Sequence, residues 1–217
     1  MKTPERTASS PHFAQLSTYE DWAAQNWLHA PGTDNAQLHA RAKLDEEAIE
    51  LAEALELGIP EDIVSEAGDV VWTATASGSN GGISISEALK VNYPAIFNSD
   101  SISTYSIDEL AAGIFEGTSV EQTQKYIKQY SSTIGKNAKQ WFRLQPALHS
   151  TPKSFSDIWI ATKHTQALSA LADIILLTSY ALQEFTDSNL EDALHNNYHK
   201  IEQRIKTGEA VTKPPRI

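Results

Sequence analysis

Glu46, Glu47 and Glu50 lie within one stretch of five residues, and Glu66 and Asp69 follow at a spacing of three. Each pattern projects its carboxylates from one side of a helix. Between the two patterns, Gly58-Ile59-Pro60-Glu61-Asp62 reads as a helix stop followed by a helix start. Two antiparallel helices joined by that turn bring four carboxylates to one point. Mutual repulsion makes such a cluster costly unless a cation sits in it. Cation chemistry is therefore the first expectation.

The elements that must position these groups are helices. Leu44, Ala48, Leu51, Ala52 and Leu55 form an apolar stripe at the helical period, with Glu47 and Glu50 on its shoulder. The next helix is expected to start near Glu61, to run through Val70, Val71 and Ala74, and to stop within the turn residues of 78–82. Ser84 or Ser86 is expected to cap a further helix through Leu89 and Asn92, with Pro94 limiting it. An earlier helix is expected over Thr18 to Leu28, with Trp22 and Trp27. No segment alternates with period two, so the fold class is all-α, a helical bundle.

The chain of 217 residues is long enough for one sizeable core, or for two small ones on a common plan. Its 41% hydrophobic and 21% charged content fits an ordinary globular protein. Residues 1–17 and 207–217 are polar and carry Pro4, Pro11, Pro214 and Pro215, so both are expected to be flexible tails. With no cysteine, disulfides, thiolate metal sites and cysteine nucleophiles are excluded. No apolar run approaches the ~18 residues of a membrane span, and no signal-peptide core is visible, so no membrane partner and a cytoplasmic location are expected. Residues 1–100 hold 16 acidic and 5 basic side chains, whereas the remainder hold 12 of each. The whole net charge of −11 thus belongs to the half with the acidic patterns. It would repel nucleic acid and attract a divalent cation.

The second half repeats part of the first. Glu87 to Tyr93 matches Asp192 to Tyr198 at an offset of 105, and Gly68 to Ala76 resembles Ala172 to Tyr180 at an offset of 104. Two related helical modules are expected, over 18–100 and 101–206. The repeat is incomplete: Asp173 matches Asp69, but Ala170 stands where Glu66 would be. The second copy carries instead Asn197, Lys200 and Arg204 on one helix face, where the position equivalent to Lys200 in the first copy is Ala95. Carboxylates in one copy and cations in the other suit a metal and a phosphate in a shared cleft.

The stretch "KLDEEAIELAEAL" followed by "EAGDVVW" resembles the EExxE and ExxD signature of the MazG-like, all-α nucleoside triphosphate pyrophosphohydrolases, a superfamily that includes dimeric dUTPases, dCTP pyrophosphatases and phosphoribosyl-ATP pyrophosphatase. The resemblance covers roughly Tyr19 to Tyr93, and more weakly Leu168 to Arg204; residues 102–165 do not align. It implies that Glu47, Glu50, Glu66 and Asp69 are magnesium ligands and that Glu46, with Glu47, serves catalysis beside an attacking water. Asn92 resembles the family's fourth-helix asparagine, and Asn197, Lys200 and Arg204 resemble its fuller NxxKxxxR form. The family implies a nucleoside triphosphate substrate, and a fused, asymmetric pair of four-helix units implies a monomer or a homodimer.

Magnesium, with manganese as a substitute, suits carboxylates from two helices. The lack of cysteine and of paired histidines argues against zinc. The expected reaction converts a nucleoside triphosphate and water to the monophosphate and pyrophosphate, with Lys200 and Arg204 stabilising the pyrophosphate charge. Selectivity for dUTP or dCTP is an alternative within the class, and an inactive nucleotide-binding scaffold is an alternative outside it. Lys43 either contacts phosphate or pairs with Glu47, and Trp22 and Trp27 either stack on a base or fill the core. Lys125, Lys128, Lys136, Lys139 and Arg143 read as a solvated basic face, while His29, His39, His164, His195 and His199 read as structural.

Overall fold

A computed structural model describes residues 11–27, 34–80, 82–97, 101–133 and 155–209. These residues form helices and one isolated antiparallel bridge: α1 (Leu16–Asn26), α2 (Asp34–Leu57), α3 (Pro60–Asn80), α4 (Ile85–Asn92), α5 (Thr104–Phe115), α6 (120–133), α7 (Phe155–Phe185) and α8 (Leu190–Thr207). The fold is an all-α bundle, as the missing period-two pattern predicts.

The stripe of α2 is buried at every one of its five positions, from Leu44 to Leu55. Gly58 ends the helix at φ 65°, a left-handed conformation that favours glycine, and its amide donates to the Ala54 carbonyl at 3.0 Å. Pro60 then opens α3, which returns along α2 and buries Ile63, Ala67, Val70, Val71 and Ala74. Ser84, the first of the two serines expected, caps α4: its Oγ accepts from the Glu87 amide at 2.9 Å. Ser86 has another task, donating its hydroxyl to Glu20, whose carboxylate also takes the Ile85 amide. Asn189 caps α8 in the same way, in a full capping box with Asp192. Ser84 and Asn189 are themselves 105 residues apart, so the sequence repeat coincides with equivalent helix starts.

The pairing of these helices is crossed. The α3 helix of the first copy lies against α8 of the second, and α4 lies against α7. Residues 102–165, which no resemblance covered, supply α5 and α6. The Ser103 hydroxyl caps α5 by accepting from the Ser106 amide at 3.1 Å. The α6 helix runs antiparallel to α2, joined by Gln124 Nε2 to the Ala52 carbonyl at 2.6 Å and by Ser131 Oγ to Asp45 Oδ1 at 2.8 Å. Lys125 and Lys128 are exposed on α6. His29, Lys136, Lys139 and Arg143, and the side chain of His164, lie outside the described residues.

Two expectations change. Thr165–Phe185 in α7 is long and apolar enough, by length and composition, to cross a membrane, contrary to the reading that no run approaches that size. The physical reason for its composition is burial: 78% of its most apolar window is inside the protein, where α3, α4 and α5 pack on it. The flexible tail expected over 1–17 does not extend to its last residues. Phe13 and Leu16 are fully buried, and Leu16 and Thr104 exchange backbone bonds with Ile102 and Ala14 at 2.9 and 3.0 Å. Phe13 is held among the rings of Tyr19, Trp22 and Tyr198.

Candidate functional site

The α2–turn–α3 hairpin directs Glu66 and Asp69 toward Glu47. One carboxylate oxygen from each of the three lies within 4.8 Å of the other two. Glu50, one turn further along α2, stands outside that threesome, yet its charge raises the carboxyls of both Glu47 and Glu66. Its charge is therefore felt at the same centre. Burial pushes the Glu47 carboxyl up to about 7, with Asp69 adding to the effect and Lys43 opposing it. Burial also pushes Glu66 to about 7, again helped by Asp69 and opposed by Lys200. Glu47 and Glu66, crowded beside Asp69 in a partly dehydrated space, favour their protonated forms unless positive charge arrives.

Some positive charge is built in. Lys43 is buried and pairs with Glu47 Oε1 at 2.6 Å and Glu46 Oε2 at 2.9 Å. Desolvation pulls its ammonium down, but the bonds to Glu47 and Glu46 outweigh this and the net shift is upward. Of the two roles open to Lys43, the ion pair is the one present. From the opposite side α8 delivers two donors to Asp69: Asn197 Nδ2 to Oδ1 at 2.7 Å, and the Lys200 ammonium to Oδ2. Lys200 also reaches Ser65 Oγ at 3.3 Å. The Tyr19 hydroxyl donates to Asn197 Oδ1 at 2.9 Å, which fixes the Asn197 amide with its NH₂ toward Asp69.

This approach of α8 depends on Gly68. A Cβ at that position would lie 2.7 Å from the Ala193 carbonyl oxygen and 2.9 Å from Asn197 Cβ. Only a missing side chain lets the two helices come this near.

The structure thus gathers Glu47, Glu66 and Asp69, with Glu50, Lys43, Glu46, Asn197 and Lys200 around them. Arg204 lies one turn beyond Lys200 and is half-buried. Asn92 is not among the groups whose bonds reach the carboxylates: its amide donates to the Ala88 carbonyl at 2.7 Å, on the helix that packs against α7. Trp22 packs with Trp72 and Tyr198 at ring separations of 5.1 Å each, and Trp27 lies 5.9 Å from Trp72. The indole N–H groups of Trp27 and Trp72 are buried without a hydrogen-bond partner. The sequence reading missed Tyr19, Ser65 and Gly68. Gly68 carried a signal, since a glycine inside a helix needs a packing reason; Tyr19 carried none, because its partner is 178 residues away.

The donor set fits a hard dication. All the ligating atoms are carboxylate oxygens, and Glu66 Oε2 is buried with no hydrogen-bond partner. Such an orphaned acceptor is what a cation would satisfy.

Residues 24–91 match the family model described as phosphoribosyl-ATP pyrophosphohydrolase, a member of the MazG-like all-α superfamily. No curated protein and no solved structure matches the chain. The matched segment spans the end of α1 through α4, including all four expected ligands, and supports a pyrophosphohydrolase acting on the acid anhydride of a nucleotide substrate.

Proposed function

We propose that this chain, whose residues 24–91 match the phosphoribosyl-ATP pyrophosphohydrolase family model, is a magnesium-dependent nucleoside triphosphate pyrophosphohydrolase of the MazG-like all-α type. It converts an NTP or dNTP and water to the monophosphate and pyrophosphate. The observation that carries this reading is the convergence of Glu47, Glu66 and Asp69, together with a buried Glu66 oxygen that has no hydrogen-bond partner.

In this reading Glu47, Glu50, Glu66 and Asp69 hold Mg²⁺, for which Mn²⁺ can substitute. When bound, the ion supplies positive charge for the triphosphate and makes a nearby water more acidic. Glu46, beside Glu47 and within reach of Lys43, takes up the proton of the attacking water. Lys43 keeps Glu46 and Glu47 oriented toward that task. Lys200 and Arg204, on one face of α8, stabilise charge on the departing pyrophosphate. Asn197, oriented by Tyr19, keeps Asp69 in place. Trp22, and with it Trp27, borders the base. Selectivity for dUTP or dCTP stays as the specific alternative within this class. A role in clearing the nucleotide pool of the cytoplasm is consistent with this chemistry.

The test is pyrophosphate release across canonical and modified triphosphates and phosphoribosyl-ATP, with magnesium, with manganese and with chelator. Turnover that requires the metal and fails in Glu50→Gln, with helicity retained, supports the proposal. Equal turnover with and without chelator removes the metal mechanism. Absence of turnover on every anhydride favours the inactive scaffold.

A further inference from the structure

We propose that His12, Glu191 and His195 form a second cation site, for a transition-metal dication of the zinc type, on the outer face of α8. Among the described residues, two groups of metal-ligating side chains converge, and this is the one outside the carboxylate centre. His12 Nδ1 lies 2.6 Å and His195 Nε2 3.7 Å from the same oxygen, Glu191 Oε1. One ligand atom from each of the three residues falls within 4.8 Å of the others. Four-coordinate zinc, with bonds of about 2.0–2.1 Å, places its ligands a little over ~3 Å apart. The 3.7 Å between His195 and Glu191 is already near that spacing.

The three groups are held in place by separate devices. Glu191 and His195 are four residues apart in the first turns of α8, so they share a face. The capping box of Asn189 and Asp192 fixes the turn that carries Glu191. His12 comes from the chain's beginning, positioned by its neighbour Phe13, which is fully buried and seats its ring 5.1 Å from that of His195. The side chains of Glu191 and His195 are 26% and 31% exposed and that of His12 is 78% exposed, so an ion and a completing water have access.

The donor types separate this site from the carboxylate centre. Two imidazoles and one carboxylate suit zinc, cobalt, nickel or copper, whereas an all-oxygen set suits magnesium or manganese. The chain would therefore sort metals between two places. The sequence shows no paired histidines and His195 reads there as structural; the present set becomes visible when residues 12 and 195 meet in space. An ion here would fasten the N-terminal segment to α8, the helix that also carries Asn197 and Lys200.

The experiment is a titration of the full, untagged chain with Zn²⁺ by calorimetry and with Co²⁺ by visible absorption, in wild type, His12→Ala, His195→Ala and Glu66→Gln. The expected result is a site that persists in Glu66→Gln and is weakened at least tenfold in each histidine variant, with the cobalt band of a nitrogen-ligated, four-coordinate centre lost in His195→Ala. His12 is exposed enough that its variant leaves the fold intact. Binding that disappears in Glu66→Gln and is unchanged in both histidine variants would overturn the proposal. So would no saturable binding in wild type; Glu191 and the histidines would then be an ordinary ion pair. Neither result bears on the hydrolase reading, which the magnesium-dependent assay tests separately.

Discussion

Asp69 and Asp173 occupy matching positions in the two halves, one helical turn after matching serines, Ser65 and Ser169. Their surroundings differ. Asp69 faces Glu47 and Glu66 and receives an amide from Asn197 and an ammonium from Lys200. Asp173 has Ala170 in place of a glutamate, and receives a hydroxyl from Tyr93 at 3.0 Å and one from Ser169 at 3.5 Å. Burial raises the Asp173 carboxyl, and both hydroxyls pull it back. A single buried acid can be satisfied by neutral donors. Three cannot, because each added charge raises the cost of the others and neutral donors do not cancel it. The helical frame is shared, and the number of acids placed in it separates a cation site from an internal hydrogen bond.

The sharpest way to break this comparison is to neutralise both sides. Glu66→Gln is expected to lower metal-dependent turnover at least about a hundredfold, equivalent to roughly 2.7 kcal/mol. Asp173→Asn should stay within about twofold of wild type. Steady-state pyrophosphate release reads both, and equal losses would mean that the two positions do the same work. Lys200→Ala comes next, with an expected fall of about tenfold in kcat/KM, or ~1.4 kcal/mol. Unchanged kinetics would reduce the second half to a structural support.

Gly68 and its counterpart Ala172 give a comparison of packing. Gly68→Ala gains helix propensity but pushes a Cβ into the Ala193 carbonyl, so a net loss of about 2 kcal/mol is expected in urea unfolding. Ala172→Gly should also lose about 2 kcal/mol, for a different reason: the ~1 kcal/mol propensity difference plus the ~0.8 kcal/mol of a fully buried methyl. A stabilised Gly68→Ala would show that α3 and α8 do not need their close approach.

A pH-dependent effect concerns another lone buried acid. Asp108 accepts from Ser179 Oγ and from the Leu190 amide at 3.3 Å, and burial pushes its carboxyl to about 6 despite them. A raised carboxyl contributes stability that is complete below its unfolded value of 3.8 and is lost as pH rises through about 6. Relative to Asp108→Asn, the wild type should therefore lose about 2 kcal/mol between pH 4 and pH 7. A difference that is flat with pH would remove the argument from charge.

Much of the frame was legible because it is local. The α2 stripe, the Gly58 stop, the Pro60 start and the Ser84 cap depend on residues a few positions apart, and the structure has them where period and turn chemistry place them. The convergence of Glu47 with Glu66 and Asp69 followed from the hairpin alone. What a linear reading lacked were meetings across the chain. Tyr19 reaches Asn197, Phe13 enters the aromatic cluster, and His12 meets Glu191 only after the bundle closes. The α5 and α6 helices were missed for another reason. They fall in the stretch that neither repeat nor resemblance covered, although Ser103 with Ser106 marked a helix start.

The crossed arrangement of α3 with α8 and α4 with α7 makes the two halves hostages to each other. A protein truncated before α8 would still contain every acidic side chain of the first half, yet nothing would tether Asp69. Separate expression of the halves should yield fragments that regain their geometry only on reassociation. The half without an acid cluster is thereby retained as the scaffold on which its neighbour's chemistry is mounted.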